Sequence, residues 1–334
     1  MTPMSLGRTM SAFALALAAC LVALVPAQSA RSSVTPPVGG PHVVATIGLD
    51  RQPYVVATDP VTDMVYVTEP YKLVVIDGKT NTVVASVPVP DRAFGVAADS
   101  ANGMVYVGDP AHSKVLVVSE KTDTVVAGIE VGGGVFFMAV NPVTDRIYVQ
   151  AIVSGTLGRV VVIDGRTNKV VAGIADHNGS SAVAVNPVTD TVYVSDDGSL
   201  LVISGQTNTV TGTIADIPAA DVATNPRTNT IYTSDPAPDG PGVVYVINGK
   251  TGAVTATIPG GEPSALAVDR LTDFVYAANY DPNTVAVING RTNSVVANVP
   301  VGRHPRDVAV NQQTNTIYAT DSGARSVSVI AGAG

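Results

Sequence analysis

One aromatic residue returns at nearly constant spacing along most of this chain. Tyr66, Tyr106, Tyr148, Tyr193, Tyr232, Tyr276 and Tyr318 each sit inside a short apolar segment, at intervals of 40, 42, 45, 39, 44 and 42 residues. A repeat of that size is the length of one four-stranded propeller blade. A unit so short cannot bury its own apolar face, so the copies must stack on one another. The fold expected is therefore all-β, a seven-bladed β-propeller.

Each unit divides into four strands. The first ends in an apolar-Ala-x-Asn/Asp pattern, as in Val183-Ala184-Val185-Asn186, and the second carries the tyrosine, as in Thr191-Val192-Tyr193-Val194. The third resembles Val161-Val162-Ile163-Asp164 and the fourth Val83-Val84-Ala85-Ser86-Val87. Abundant valine with 31 Gly, 23 Pro and no Trp fits many short strands joined by turns. Two residues before the Asn/Asp of the first strand stands alanine in every unit: Ala57, Ala97, Ala139, Ala184, Ala223, Ala267 and Ala309. First strands crowd round a propeller axis, and a larger side chain facing the next blade would overpack there, at about 1–3 kcal/mol each.

The turns repeat too. Asp59-Pro60-Val61-Thr62-Asp63 and Asn141-Pro142-Val143-Thr144-Asp145 join first to second strands, while Asp77-Gly78-Lys79-Thr80-Asn81 and Asn289-Gly290-Arg291-Thr292-Asn293 join third to fourth. Asx and Thr side chains bond the turn's own backbone, with Pro or Gly expected to supply the φ. That recurrence marks these carboxylates as turn formers rather than calcium ligands. The ends of the repeat array also match: Val43-Val44-Ala45-Thr46-Ile47 reads as a fourth strand, and Ser326-Val327-Ser328-Val329-Ile330 as a third. The two should pair and close the last blade, which removes two sheet edges.

Tyr66-Val67-Thr68-Glu69, Tyr193-Val194-Ser195-Asp196, Tyr276-Ala277-Ala278-Asn279 and Tyr318-Ala319-Thr320-Asp321 resemble the signature of YVTN-type β-propeller repeats, and the Val-Ile-Asp-Gly-x-Thr-Asn segments match the same repeat. The resemblance spans residues 42–334. It implies an extracellular or cell-surface protein similar to surface-layer propeller proteins, and it brings no catalytic motif.

The N-terminus is different in kind. Arg8 is its single charge, an apolar run extends from Ala12 to Val25, and Pro26 precedes Ala27-Gln28-Ser29-Ala30. That is the form of a secretory signal peptide over residues 1–30, with cleavage after Ala27 or Ala30. The run is short for a membrane span. Leu17-Ala18-Ala19-Cys20 has the form of a lipobox, but the apolar core continues past Cys20, so lipid anchoring there is the lesser alternative. Residues 31–41 read as a flexible lead-in and residues 42–334 as the propeller. Cys20 is the one cysteine, so a chain cleaved at either site has no disulfide or thiolate chemistry. Removing residues 1–30 takes away Arg8 and no acid, moving the net charge from −8 to −9. An acidic chain with scattered bases argues against nucleic-acid binding.

Function in a propeller is grafted onto the loops round the channel mouth, namely those leading into first strands and those between second and third strands. Residues there that break the repeat are Arg51, Tyr54, Arg92, Phe94, Phe136, Phe137, His177, Asp221, Glu262, His304 and Arg306, with Tyr71, His112, Tyr280 and Arg325 on the second set of loops. The longest such loop is expected from Gln150 to Arg159, and the segment from Asp235 to Gly242 is Pro-rich. Arg51, Arg92, Arg303 and Arg306 would form a basic mouth suited to a carboxylate or an anionic glycopolymer if the ring gathers them. Phe94, Phe136 and Phe137 are expected to plug the channel mouth, and Gly132-Gly133-Gly134 before them to give backbone freedom rather than a phosphate cradle.

Two function classes fit. The favoured one is a secreted or cell-surface, monomeric, non-enzymatic binding module, without cofactor, whose partner is a protein, glycopolymer or small molecule of the cell envelope or exterior. The alternative is a secreted metal-assisted lyase or lactonase. That version needs His177, Glu262 and His304 to converge on a divalent cation, or Asp221 to hold one in the channel.

Overall fold

The structure, a computed structural model, describes residues 39–155, 157–178, 182–237 and 242–334, without the side chains of residues 175–178. Runs of β-branched residues alternate with Asx-rich turns, and such runs pair with their neighbours as antiparallel hairpins. Among the described residues they make seven four-stranded sheets. Blade 1 consists of Val56–Asp59, Met64–Glu69, Lys72–Asp77 and Thr82–Pro88. The first strands of blades 2 to 6 are Val96–Asp99, Gly134–Asn141, Val183–Asn186, Asp221–Asn225 and Pro263–Asp269. Blade 7 takes Pro305–Asn311, Thr316–Asp321 and Ser326–Ala331 from the end of the chain and His42–Gly48 from its start. His42 lies opposite Ala331 and Gly48 opposite Ser326, so the expected closure of the ring is present.

The core is divided into seven seams between blades. Side chains alternate faces along a strand, so each blade offers one row to each neighbour. The repeated tyrosines are buried to within 1% of full burial, and each enters the seam with the following blade. Tyr66 packs with Val105 and Val107 of blade 2, and Tyr318 packs with Val65 and Val67 of blade 1. In every blade the repeat alanine stands directly opposite the tyrosine, from Ala57 against Tyr66 to Ala309 against Tyr318. A ring of that size can reach over to the next blade because its cross-strand neighbour is a single methyl.

Polar clasps reinforce the seams on the face carrying the first-to-second-strand turns. Asn141, Asn186, Asn225 and Asn311 each donate through Nδ2 to Asp190, Asn229, Asp273 and Asp63 of the next blade, at 2.8, 2.9, 2.7 and 2.6 Å. Their Oδ1 atoms accept turn N–H groups, as Asn311 does from Gln313 at 3.0 Å. The glycine of the third-to-fourth-strand turn has a different role from the one expected. The left-handed φ belongs to the Asx residues, 61° at Asp63 and 55° at Asn81, whereas a Cβ on Gly78 would lie 2.6 Å from the Asp63 carbonyl and 2.8 Å from the Tyr318 hydroxyl. Glycine is there for close approach.

Outer strands leave an open edge on every blade, and each carries a bulge at the same place. The extra residues are Val84, Val126, Val171, Thr211, Thr255, Val296 and Val44. A bulge twists the edge out of register with any incoming strand. The segment from Gln150 to Arg159 is a hairpin rather than the long loop expected: strands Arg146–Ser154 and Leu157–Asp164 stay paired to Ser154 opposite Leu157. Residues 1–38, including the signal-peptide, Cys20 and most of the lead-in readings, lie outside the described residues, as does Pro-rich 238–241. No helix among the described residues is long and apolar enough to cross a membrane.

Candidate functional site

The hydroxyl of the Tyr-x-Thr signature builds the channel mouth. Thr68 Oγ1 donates to the Phe94 carbonyl at 2.6 Å and Thr320 Oγ1 to the Tyr54 carbonyl at 3.1 Å, each reaching across to the next blade. Asp307 N donates to Thr320 Oγ1 at 3.0 Å, and Asp221 N to Ser234 Oγ at the same distance. In blades 1, 2, 5 and 7 these bonds fix residues two and three places before the repeat alanine, the two positions that ring the channel mouth.

Those two rings break the sevenfold symmetry. In the upper one, blades 1 to 3 contribute Tyr54, Phe94 and Phe136, blade 7 contributes Arg306, and blades 5 and 6 contribute only Ala220 and Ser264. In the lower one, Asp221 and Asp307 stand where Val55, Gly95, Ala182 and Ala265 stand in other blades, and Phe137 fills the blade 3 position. Large residues on one side and small ones on the other leave a cavity of about 540 Å³ lined by both sets. The phenylalanines are thus one wall of an open cavity rather than the expected plug.

The aromatic wall is ordered. Tyr54 stacks on Phe94 with centroids 5.4 Å apart, and Phe94 meets Phe136 and Phe137 edge-on at 5.7 and 5.9 Å. The Arg306 guanidinium lies 5.5 Å from the Tyr54 ring and 5.1 Å from the Phe94 ring, within cation–π range of both. Gly95 permits this packing, since a Cβ there would lie 2.5 Å from the Phe136 carbonyl. In the inner rings Asp221 Oδ2 accepts Leu266 N–H of blade 6 and Asp307 Oδ2 accepts Val56 N–H of blade 1, both at 2.7 Å. Burial pushes Asp221 up to about 6. Burial, with the neighbouring Asp221 charge adding to it, pushes Asp307 up to about 7 against the Val56 hydrogen bond.

The other residues singled out from sequence separate. Arg51, His304, Arg325 and Tyr280 line a second, polar cavity of about 720 Å³ on the rim. Arg303 is beside it, donating to the Gly323 carbonyl at 2.8 Å. Arg306 points into the channel instead and Arg92 stands apart from both cavities, so the basic mouth is split. Glu262 borders a third cavity with Tyr280. His112 is taken up locally, its Nδ1 lying 2.8 Å from Asp109 Oδ2. His177 belongs to the outer strand of blade 3, opposite Gly158, rather than to a loop, and its side chain is outside the described residues. Among the described residues no three His, Cys, Asp or Glu side chains are grouped to hold a metal ion. Gly132 has the free backbone expected, with φ of 71°, while a Cβ on Gly133 would lie 2.8 Å from the Ile152 carbonyl.

Asp307 was not among the residues the sequence reading selected. Aligning the units on the repeat alanine would have found it, because it occupies the same place as Asp221.

No family model matches the chain, and no curated protein does. Among solved structures, the chain is similar to Kuenenia stuttgartiensis hydrazine synthase, with a TM-score of 0.74 and 19% identity, covering 85% of this chain and 96% of that one. The likeness is one of fold. That neighbour supports the propeller architecture and carries no site residue across.

Proposed function

We propose that this protein is an exported binding module, working at or outside the cell surface, whose ligand enters the mouth of the central channel. The observation that carries this reading is the loss of sevenfold symmetry in the two inner rings. Behind them every blade repeats its tyrosine and its alanine. At the mouth, three blades supply aromatic rings, one an arginine and two a carboxylate, and together these line a cavity of small-molecule size. Such a cavity takes a ligand with an aromatic or apolar face against Phe94, Phe136 and Phe137 and a hydrogen-bond-donating or cationic end toward Asp221 and Asp307. Export is supported by the basic start, apolar core and small-residue boundary of residues 1–30.

The chain has no tryptophan, so Phe136→Trp would put its one indole in the cavity wall. Titration of that variant with a panel of aromatic amines should give saturable fluorescence changes that Asp221→Asn and Asp307→Asn weaken. A panel without one saturable response, in a variant that melts as the parent does, would overturn the reading.

A further inference from the structure

The polar cavity on the rim is built at the seam of blades 7 and 1, with Tyr280 of blade 6, which also borders the channel-mouth cavity, as one wall. Its backbone is unusual. Most non-glycine residues with left-handed φ in this chain are Asp or Asn at turns, where that conformation is cheap. Of four bulky exceptions, His304 at 52° and Arg325 at 54° line this cavity and Tyr71 at 72° lies beside it under Arg51, while Arg92 at 62° stands elsewhere. The first three are held by surrounding bonds. His304 N–H donates to Asn283 Oδ1 at 2.7 Å and its carbonyl accepts Ser322 Oγ at 2.8 Å, while the Arg325 carbonyl accepts Leu49 N–H at 2.8 Å and that of Tyr71 accepts Val89 N–H at 3.0 Å. Where neighbours over-determine a strained conformation, the side chain so displayed is the thing to explain.

What is displayed is cationic and flat. Arg51 and Arg325 line the cavity, and neither has a carboxylate within ion-pair distance among the described residues. Asp50 also lines the cavity, and its carboxylate and that of buried Glu69 share Lys72 Nζ, at 2.6 and 3.3 Å. The His304 ring stacks on Tyr280, 4.6 Å between centroids and 8° from parallel, which locks a planar platform. Arg51 sits 5.3 Å over the ring of Tyr71, itself about half exposed. Arg51, Arg325 and Lys72 outnumber Asp50 and Glu69 by one charge, a local reversal of sign in a chain of net charge −8.

We propose that this rim cavity binds a uronate-bearing saccharide. The ring carboxylate would lie between Arg51 and Arg325, in the bidentate geometry guanidinium favours, and the apolar face of the pyranose against the stacked rings of His304 and Tyr280. Sulfate or phosphate would satisfy the arginines but not the rings. This proposal does not rest on the channel-mouth reading.

The test is calorimetric titration of the purified full chain with a short oligogalacturonate, a neutral cello-oligosaccharide and sodium sulfate. Saturable binding of the oligogalacturonate alone is expected, weakened at least tenfold by Arg51→Gln or by Arg325→Gln and only partly retained in Arg325→Lys. Asp307→Asn, in the channel, should leave it unchanged. Monomeric galacturonate binding as tightly as the oligomer would identify a free sugar acid as ligand, and tighter binding of the oligomer would identify a polymer; either supports the site. Absence of saturable binding to the parent chain, binding that both arginine variants leave intact, or equal affinity for sulfate would overturn it. The arginines are exposed, and melting temperatures equal to the parent's will establish that the variants are folded.

Discussion

Asp307 offers a sharp test of how the channel is held together. Its carboxylate ties blade 7 to blade 1 through the Val56 N–H, at the seam that closes the ring. Asn at this position keeps an acceptor for that bond and removes the charge. In the folded protein Asp307 titrates near 7 instead of the ordinary 3.8, because burial and the Asp221 charge oppose ionisation. The folded state therefore binds this proton more tightly than the unfolded one. The resulting stability is fully present below about pH 4 and is lost as the pH rises through about 7. A tenfold difference in proton affinity is about 1.4 kcal/mol, which sets a ceiling of about 4 kcal/mol. The side chain is only partly covered, and water at the channel mouth screens its charge, so about 2 kcal/mol is expected. Urea unfolding of the parent and Asp307→Asn at pH 5 and pH 8 measures it. The variant should be the more stable at pH 8 by about that amount, with the gap closing toward pH 5. A gap that does not change with pH, or a variant less stable at pH 8, would refute the reasoning.

Other consequences follow from the seams and the ends. Ala223→Leu, opposite Tyr232, should overpack the seam between blades 5 and 6 and cost about 1–3 kcal/mol in urea unfolding. Asn311→Ala removes both the clasp to Asp63 and the turn acceptor for Gln313, and should cost about 1–3 kcal/mol by the same measurement. Deleting residues 31–48 from a chain that starts at Arg31 leaves Ser326–Ala331 as a bare edge without its bulged partner. Sedimentation velocity should then show more self-association than in the undeleted chain. Expressed with residues 1–30 in a secreting host, the chain should be recovered from outside the cytoplasm with an intact mass that places its first residue at Gln28 or Arg31.

The architecture was legible because the propeller seams demand the same residues seven times. A tyrosine that crosses a seam and an alanine that makes room for it recur at fixed spacing, and the matching strands at the two ends follow from closing the ring. Local geometry was less legible. The glycine of Asp77-Gly78-Lys79-Thr80-Asn81 looked like a source of φ, but its constraint is a tyrosine hydroxyl from another blade, which no local reading of the turn contains. The Gln150–Arg159 segment looked like a loop because it departs from the repeat, although its residues simply carry the pairing of blade 3 further.

The channel mouth stands between these cases. Tyr54, Phe94, Phe136, Phe137, Asp221 and Arg306 could be picked out as departures from a repeat, and all six line one cavity. What the sequence left open was their sharing between two rings, because residues one place apart on a strand start point different ways and the twist of each blade decides which meet. Asp307 and Arg306 are neighbours in sequence yet meet different partners: the arginine lies over the rings of Tyr54 and Phe94, and the carboxylate is bound to the backbone of Val56 in the first strand of blade 1. Symmetry-breaking therefore has to be read column by column across the aligned blades. A column in which all seven residues agree maintains the ring, and the columns two and three places before the alanine, in which they differ, are the ones whose side chains line the cavity at its mouth.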